Sequence, residues 1–515
     1  MPARSSTSLT LVPTRSPASA PISAGGEAAG ENGAFTSSES ELQAVFADPD
    51  QSSRVEASAY DLVVIGSGPA GQKGAIAAAK LGKRVAVVDR KERIGGVCLH
   101  TGTIPSKTLR EAILYLSGYR QRAFYGRDYS LKDEISVGDL SHRVRKVMGR
   151  EMEVVRAQLK RNHITTVHGS ARFLEPHAVE VQTHEGTSLL RAGNVLIACG
   201  TRPAESPTVP LDGRRILDSD QLLESELLPR DLIVVGAGVI GLEYASMMTA
   251  LNIRVTIIEQ RPTILDFVDR EMVEALYYFM RQRGATFRLG EKVVSVGLDE
   301  RSRVVASLES GKQVHADSLL YTVGRQANSD LLNLEAAGLA ADSRGRLPVN
   351  EHYQTAVPHI YAAGDVIGFP SLASTSMEQG RLASCHMFGA PSTSRREFLP
   401  YGIYTIPEIS MVGATEQELT ASKIPYEVGQ AKFEELAKGQ MLGVDVGLLK
   451  ILFDPRSLKV LGVHAIGESA AEIIHIGQAV LSLGATIEYF RDTTFNYPTL
   501  AEAYKVAGLD GLNRL

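Results

Sequence analysis

Tyr60-Asp61-Leu62-Val63-Val64-Ile65-Gly66-Ser67-Gly68-Pro69-Ala70-Gly71 is an apolar run that breaks at once into glycines. The run predicts a short buried strand, and the small residues that continue through Lys80 predict a helix. A second strand, Arg84 to Val88, ends on Asp89. Strand, G-x-G-x-x-G turn, helix, strand and terminal acid form a dinucleotide fingerprint in its required context. Gly66 permits the tight turn, Gly68 lets a pyrophosphate approach the backbone, and Gly71 lets helix and strand pack closely. The helix N-terminus attracts the phosphates, and Asp89 is placed to bond a ribose diol.

The pattern recurs about 170 residues later: Leu232 to Val235, then Gly236-Ala237-Gly238-Val239-Ile240-Gly241, then a strand from Arg254 to Ile258 that ends on Glu259. Two fingerprints imply two dinucleotides, a tightly held flavin and an exchangeable nicotinamide cofactor. Glu259 suits the 2′-hydroxyl of NAD(H) and repels the 2′-phosphate of NADP(H). Arg261, two residues on, is a guanidinium suited to that phosphate, so the preference between the two stays open at this point.

Composition narrows the remaining classes. The chain has 515 residues, 44% hydrophobic and 22% charged, with net charge −5, which predicts a soluble protein of several domains. There is no basic block to hold nucleic acid. No apolar run approaches the ~18 residues of a membrane span. Three scattered cysteines, Cys98, Cys199 and Cys385, do not make a secreted disulfide framework, so a cytoplasmic location is expected. Residues 1–58 are rich in Ser, Ala, Pro and Gly and predict a disordered extension. Arg4 and Arg15, with no acid before Glu27, give that tail a weak likeness to an organelle transit peptide, which keeps an organelle open as the alternative. The histidines show no metal-ligand spacing, and no metal is expected.

Further motifs, in fixed order, resemble the pyridine nucleotide–disulfide oxidoreductase family from Tyr60 to the C-terminus. Gly95-Gly96-Val97-Cys98-Leu99-His100-Thr101-Gly102-Thr103-Ile104-Pro105-Ser106-Lys107 resembles its redox motif. Thr355-Ala356-Val357-Pro358-His359-Ile360-Tyr361-Ala362-Ala363-Gly364-Asp365 resembles its second flavin motif, whose Asp binds the ribityl chain. Leu196 to Pro203, with Gly200, and Tyr321-Thr322-Val323-Gly324-Arg325 resemble the two crossover strands. The resemblance implies an α/β protein with two Rossmann-like three-layer dinucleotide-binding domains and an α+β dimerisation domain. The expected map is an FAD domain at 59–200 and 327–394, an inserted NAD(P) domain at 201–326, and dimerisation at 395–515. It also implies one non-covalent FAD per subunit, NAD(H) and NADP(H) as exchangeable substrates, and a homodimer or higher homo-oligomer.

Two departures carry the functional argument. The family's redox motif is C-x4-C, but here Cys98 is followed by Thr103, which cannot close a disulfide. The family's C-terminal H-P-T, whose His is the acid–base for a departing thiol, is Tyr497-Pro498-Thr499 here, with Glu502 retained. A phenol holds its proton far more tightly than an imidazolium near neutral pH. Both halves of thiol–disulfide chemistry are missing together. That combination, with Tyr404-Thr405-Ile406-Pro407-Glu408-Ile409, is similar to the Si-specific, soluble, FAD-dependent transhydrogenase branch.

The resemblance therefore implies a ping-pong hydride transfer from NADPH to NAD+ through FAD. It places Lys107 near the flavin and pairs it with Glu243, puts Tyr497 in the slot of the missing His, and aims the helix that starts at Ser374 and Thr375 at the flavin. Cys98 is expected to pack as a small apolar residue, His100 to be structural, and His464 and His475 to lie at an interface. An NADH-preferring diaphorase or oxidase, a dihydrolipoamide dehydrogenase-like flavoprotein and a catalytically idle flavin-loaded scaffold are the alternatives.

Overall fold

A computed structural model describes residues 59–515 except 127, 133, 226, 227, 393, 395–397 and 445. The tail read as disordered, residues 1–58, lies outside the described residues, as does the expected start of the last domain at 395.

The first fingerprint folds as β1 (Ala59–Ile65), α1 (Pro69–Lys80) and β2 (Val85–Asp89). Next come α2 (Gly96–His100), α3 (Thr103–Leu116) and the long α4 (Val137–Arg161). A Ser136–Asp139 capping box starts α4, satisfying amide groups that the first turn leaves open. Strands β3 (Thr165–His168), β4 (Ser170–Glu175), β5 (Ala178–Thr183) and β6 (Gly186–Ile197) complete a sheet ordered β3-β2-β1-β6-β5-β4. Side chains alternate across β1 with the period of two that a strand imposes. Leu62 and Val64 pack with Ala75 and Ala78 of α1, whereas Val63 and Ile65 pack with Phe173 and Leu332 on the other face.

Strand β7 (Thr201–Pro203) leaves this sheet, and β8 (Ile216–Asp218) and α5 (Ser219–Leu222) lead into the second fingerprint. That is β9 (Asp231–Val235), α6 (Val239–Ala250) and β10 (Arg254–Glu259), followed by α7 (Arg270–Gln282) and β11 (Thr286–Leu289). Strands β12 (Val293–Leu298), β13 (Val304–Leu308) and β14 (Gln313–Ala316) form a separate antiparallel sheet, and β15 (Ser318–Tyr321) returns to the parallel one. The parallel order is β11-β10-β9-β15-β8. Here the third layer is the three-stranded sheet rather than helices: Ile233 and Val235 bury against Val296, Val304 and Ala306, while Leu232 and Val234 face α6 and α7.

Strand β16 (Arg325–Ala327) pairs antiparallel with β7, so the two expected crossover segments are one ribbon between the two sheets. The chain then adds β17 (Ile360–Ala362) parallel to β6 and lays α8 (Ala373–Met387) against α1, where Ser384 Oγ donates to Gly74 O at 2.8 Å. The C-terminal part is an antiparallel sheet, β18 (Tyr401–Ile403), β19 (Glu408–Gly413), β20 (Glu427–Lys432), β21 (Leu448–Phe453) and β22 (Val460–Gly467), ordered β18-β19-β22-β21-β20. Helices α9 (Ala470–Ser482) and α10 (Glu502–Leu512) cover it. Lys450 of β21 is wholly buried and meets Asp269 at 2.9 Å, Glu271 at 3.0 Å and Glu416. Among the described residues those three acids are the one group with metal-ligand spacing; the Lys450 ammonium supplies their positive charge.

Candidate active site

Each fingerprint ends its first strand in a glycine at positive φ, +108° at Gly66 and +101° at Gly236. The third glycines are fixed by packing: a Cβ on Gly71 would lie 1.9 Å from Gly66 O, and one on Gly241 2.0 Å from Gly236 O. The second glycines are not. A Cβ on Gly68 or Gly238 would meet nothing within 4 Å, so no protein contact demands glycine there. Both positions face open clefts, and a cradle that a Cβ would fill suits a phosphate group brought against the backbone.

The first cleft runs along the first fingerprint loop. Gly66, Gly68, Asp89, Gly96, Cys98 and Gly200 line it, as do Thr103 and Asp365. Asp89 already works within the loop, since its Oδ2 accepts from Ser67 N at 2.8 Å and Ser67 Oγ at 2.5 Å. A carboxylate has about four lone-pair sites, so capacity for a ribose hydroxyl remains. Asp365 sits at the cleft's far end, where burial raises its pKa against the pull of Arg325 and Thr201. Arg325 Nε donates to Thr201 Oγ1 at 2.7 Å, and that hydroxyl donates to Asp365 Oδ2 at 3.3 Å. The crossover ribbon thus steadies the acid at the end of the cleft.

The second cleft is lined by Gly238, Glu243, Gly324, Arg325, Lys107 and Ser374. Thr103 and Asp365 line both clefts, so the two adjoin at these residues. Lys107 Nζ lies 2.7 Å from Glu243 Oε2. Cys98 and Thr103 share a hydrogen bond, yet all three cysteines are free. Burial pushes the Cys98 thiol up, against that bond and the charge of Lys107, which favours an inert thiol over a nucleophilic thiolate.

Several expected site residues sit elsewhere. Gly71, Gly236 and Gly241 shape the turns from behind. Glu259 is tied beneath the second loop: its Oε2 accepts from Ala237 N at 2.8 Å, and Arg261 Nε donates to its Oε1 at 3.0 Å. Burial alone would raise the Glu259 carboxyl, but the Arg261 and Ala237 bonds overcome it and hold it below the ordinary Glu range. Tyr497 is 66% exposed and lies outside both clefts within one chain. His100 Nε2 lies 2.9 Å from Ile94 O. His464 corrects the interface reading: it is 0% exposed within a single chain, because its position on β22 faces the core and Nε2 reaches Ala414 O at 2.9 Å. His475 stands on the rim of the second cleft.

Two residues escaped the sequence reading. Asp220 lines the first cleft, and its Oδ1 is buried without a partner. An orphaned acceptor of that kind costs stability unless a ligand donor meets it, which fits a hydroxyl-rich cofactor. Its sequence signal is masked by the Asp218–Gln221 capping box around it. Tyr404 lines the second cleft but looked like interface sequence.

The comparisons agree with this geometry. Residues 60–380 match the model of the pyridine nucleotide-disulphide oxidoreductase family, and 399–507 that of its dimerisation domain. The chain is 53% identical over 458 residues to the soluble pyridine nucleotide transhydrogenase of Mycobacterium bovis (strain BCG / Pasteur 1173P2), covering 88% of this chain and 98% of that one. It is 47% identical over 462 residues to the soluble pyridine nucleotide transhydrogenase of Salmonella paratyphi C, covering 88% and 98%. Among solved structures, LpdA of Mycobacterium tuberculosis superposes with TM-score 0.81 at 27% identity, covering 87% of this chain and 99% of that one. The HOCl-induced flavoprotein disulfide reductase of Escherichia coli gives 0.78 at 26%, covering 87% and 99%. With two adjoining glycine-cradled clefts and matches to both the family's models, this chain belongs to the pyridine nucleotide-disulphide oxidoreductase family.

Proposed function

We propose that the protein transfers hydride from NADPH to NAD+, reversibly and by a ping-pong cycle, with one FAD per subunit and no redox-active disulfide. The observation that carries this reading is Thr103, a hydroxyl standing where the two clefts meet, with Cys98 free beside it. FAD held in the first cleft would supply a two-electron hydride carrier between nicotinamides. The chain's share is to bind and orient. Gly68 and the start of α1 cradle one pyrophosphate, and Gly238 and the start of α6 cradle the other. Lys107, held by Glu243, brings a positive charge to the junction, which favours arrival of a hydride there. Neither Thr103 nor Cys98 offers a sink for electrons, so an external acceptor, a second nicotinamide in this reading, removes them.

In this reading residues 59–200 and 327–394 hold FAD, 201–326 hold NAD(P), and 395–515 pair two subunits in the cytoplasm. The names of the relatives support the donor and acceptor. The Glu259–Arg261 pair favours a second reading, an NADH-preferring diaphorase, because it spends the guanidinium on the protein's own acid. Steady-state reduction of thio-NAD+ by NADPH, with oxygen uptake followed in parallel, tests both. Fast nicotinamide transfer with little oxygen uptake is the expected result; the reverse pattern rejects the transhydrogenase reading.

A further inference from the structure

Lys107 is held by more than its carboxylate. Its Nζ also stands 5.0 Å above the ring of Tyr404, inside the ~6 Å over which a cation and an aromatic face attract. Tyr404 contacts the same ion pair a second time: its backbone N–H donates to Glu243 Oε1 at 2.9 Å, the oxygen that Lys107 does not use. The segment bearing it, between β18 and β19, is stitched down on both sides. Ile406 N donates to Ser246 Oγ at 3.1 Å, and Arg110 Nε donates to Thr405 O at 3.2 Å. One half-buried tyrosine of the C-terminal sheet therefore binds a lysine of α3 and a glutamate of α6.

We infer that Tyr404 is a positioning residue for hydride transfer: its ring seats the Lys107 ammonium at the junction of the clefts, and its N–H fixes the carboxylate that Lys107 pairs with. This rests on the reading that Lys107 acts where the flavin is reduced. The physical need is clear from the side chain. Lysine has a flexible four-carbon stem, and Lys107 keeps 27% of its side chain exposed, so one ion pair leaves it room to swing. A ring beneath the ammonium removes that freedom without neutralising the charge, as a second carboxylate would. The backbone bond to Glu243 survives any substitution that keeps the N–H, so changing the side chain isolates the ring.

The test uses the FAD-loaded protein as wild type, Y404L, Y404F and K107M. Three quantities are read: the anaerobic rate of flavin bleaching by NADPH, the flavin midpoint potential, and the ring-current shift of the Lys107 ε-methylene in 13C-lysine protein. Y404L is expected to slow bleaching roughly three- to tenfold, in the range of one cation–π contact, to move the potential negative, and to abolish the ring-current shift. Y404F restores most of each. Should Y404L fail to hold FAD, stepwise ring fluorination of phenylalanine at position 404 replaces it, and bleaching slows with each fluorine. A Y404L enzyme that matches wild type while K107M is slow overturns the role of Tyr404 alone. A Y404F enzyme as slow as Y404L assigns the effect to the hydroxyl and also overturns it. A K107M enzyme with wild-type rate and potential overturns the reading of Lys107, and this inference with it.

Discussion

Glu243 grips Lys107 at 2.7 Å across the join between the two nucleotide folds, one residue from α6 and the other from α3. Glu243→Ala removes a nearly buried carboxylate and leaves both Lys107 and Tyr404 N without their acceptor. Loss of a buried ion-pair partner costs about 3–5 kcal/mol, and partial exposure of Lys107 lowers this to about 1–3 kcal/mol. Transfer between nicotinamides should fall on the order of 100-fold, as when one preorganised charge is lost at a reacting centre. Urea midpoints and stopped-flow rates on the same preparation check both.

Cys98 offers a second test. Cys98→Ser should leave nicotinamide transfer within a few-fold of wild type, since the thiol is half-buried, raised in pKa and in no disulfide. Anaerobic titration should bleach the flavin with about one NADPH per FAD, since flavin is then the sole two-electron acceptor. Glutathione disulfide and lipoamide should not be turned over. Uptake of a further two electrons, or collapse of transfer in the serine variant, would contradict a mechanism without disulfide.

Glu259→Gln should move the cofactor preference toward NADPH. The substitution removes like-charge repulsion and frees the Arg261 guanidinium from its 3.0 Å bond to Glu259, so it becomes available to a 2′-phosphate. The ratio of kcat/KM for the two donors is the measurement, and an unchanged ratio would show that the acid plays no part in selection.

His464 sets part of the acid stability. Burial drives its pKa below the ordinary His value, against the pull of Asp269 and the Ala414 carbonyl. Below about pH 6.5 the unfolded chain protonates this ring while the folded chain does not. The unfolded state then binds more protons, so stability is full above that pH and falls below it, by up to about 1.4 kcal/mol per pH unit. His464→Gln should flatten this slope. Urea unfolding of both proteins from about pH 8 to pH 5 reads the difference, and parallel curves would contradict it.

Lys450→Met should destabilise by about 3–5 kcal/mol, since it strands acids around a buried site. Asp269 is itself fully buried, as is Lys450. Thermal unfolding should show the loss with the flavin spectrum unchanged, because neither residue lines a cleft. A midpoint within error of wild type would mean the acids take up protons or reach solvent at little cost.

What the sequence determined by itself was everything carried by short spacing. Glycines at fixed intervals after an apolar strand specify the turn and the open face at Gly68 and Gly238, because backbone sterics act over a few residues. Thr103 in place of a cysteine excludes a disulfide from chemistry alone. The tertiary structure decided which distant groups meet. Tyr404 reaches the Lys107–Glu243 pair, and Asp220 keeps an orphan oxygen in the first cleft, only because sheet packing brings together segments more than 100 residues apart. The same holds for His464: both faces of β22 are buried, one under α9 and the other toward α7, and the second cover comes from a segment distant in the chain. Arg261 shows the limit most directly. Its charge was visible in the sequence, but its commitment to Glu259 follows from the fold of the strand end, which aims both side chains at one point.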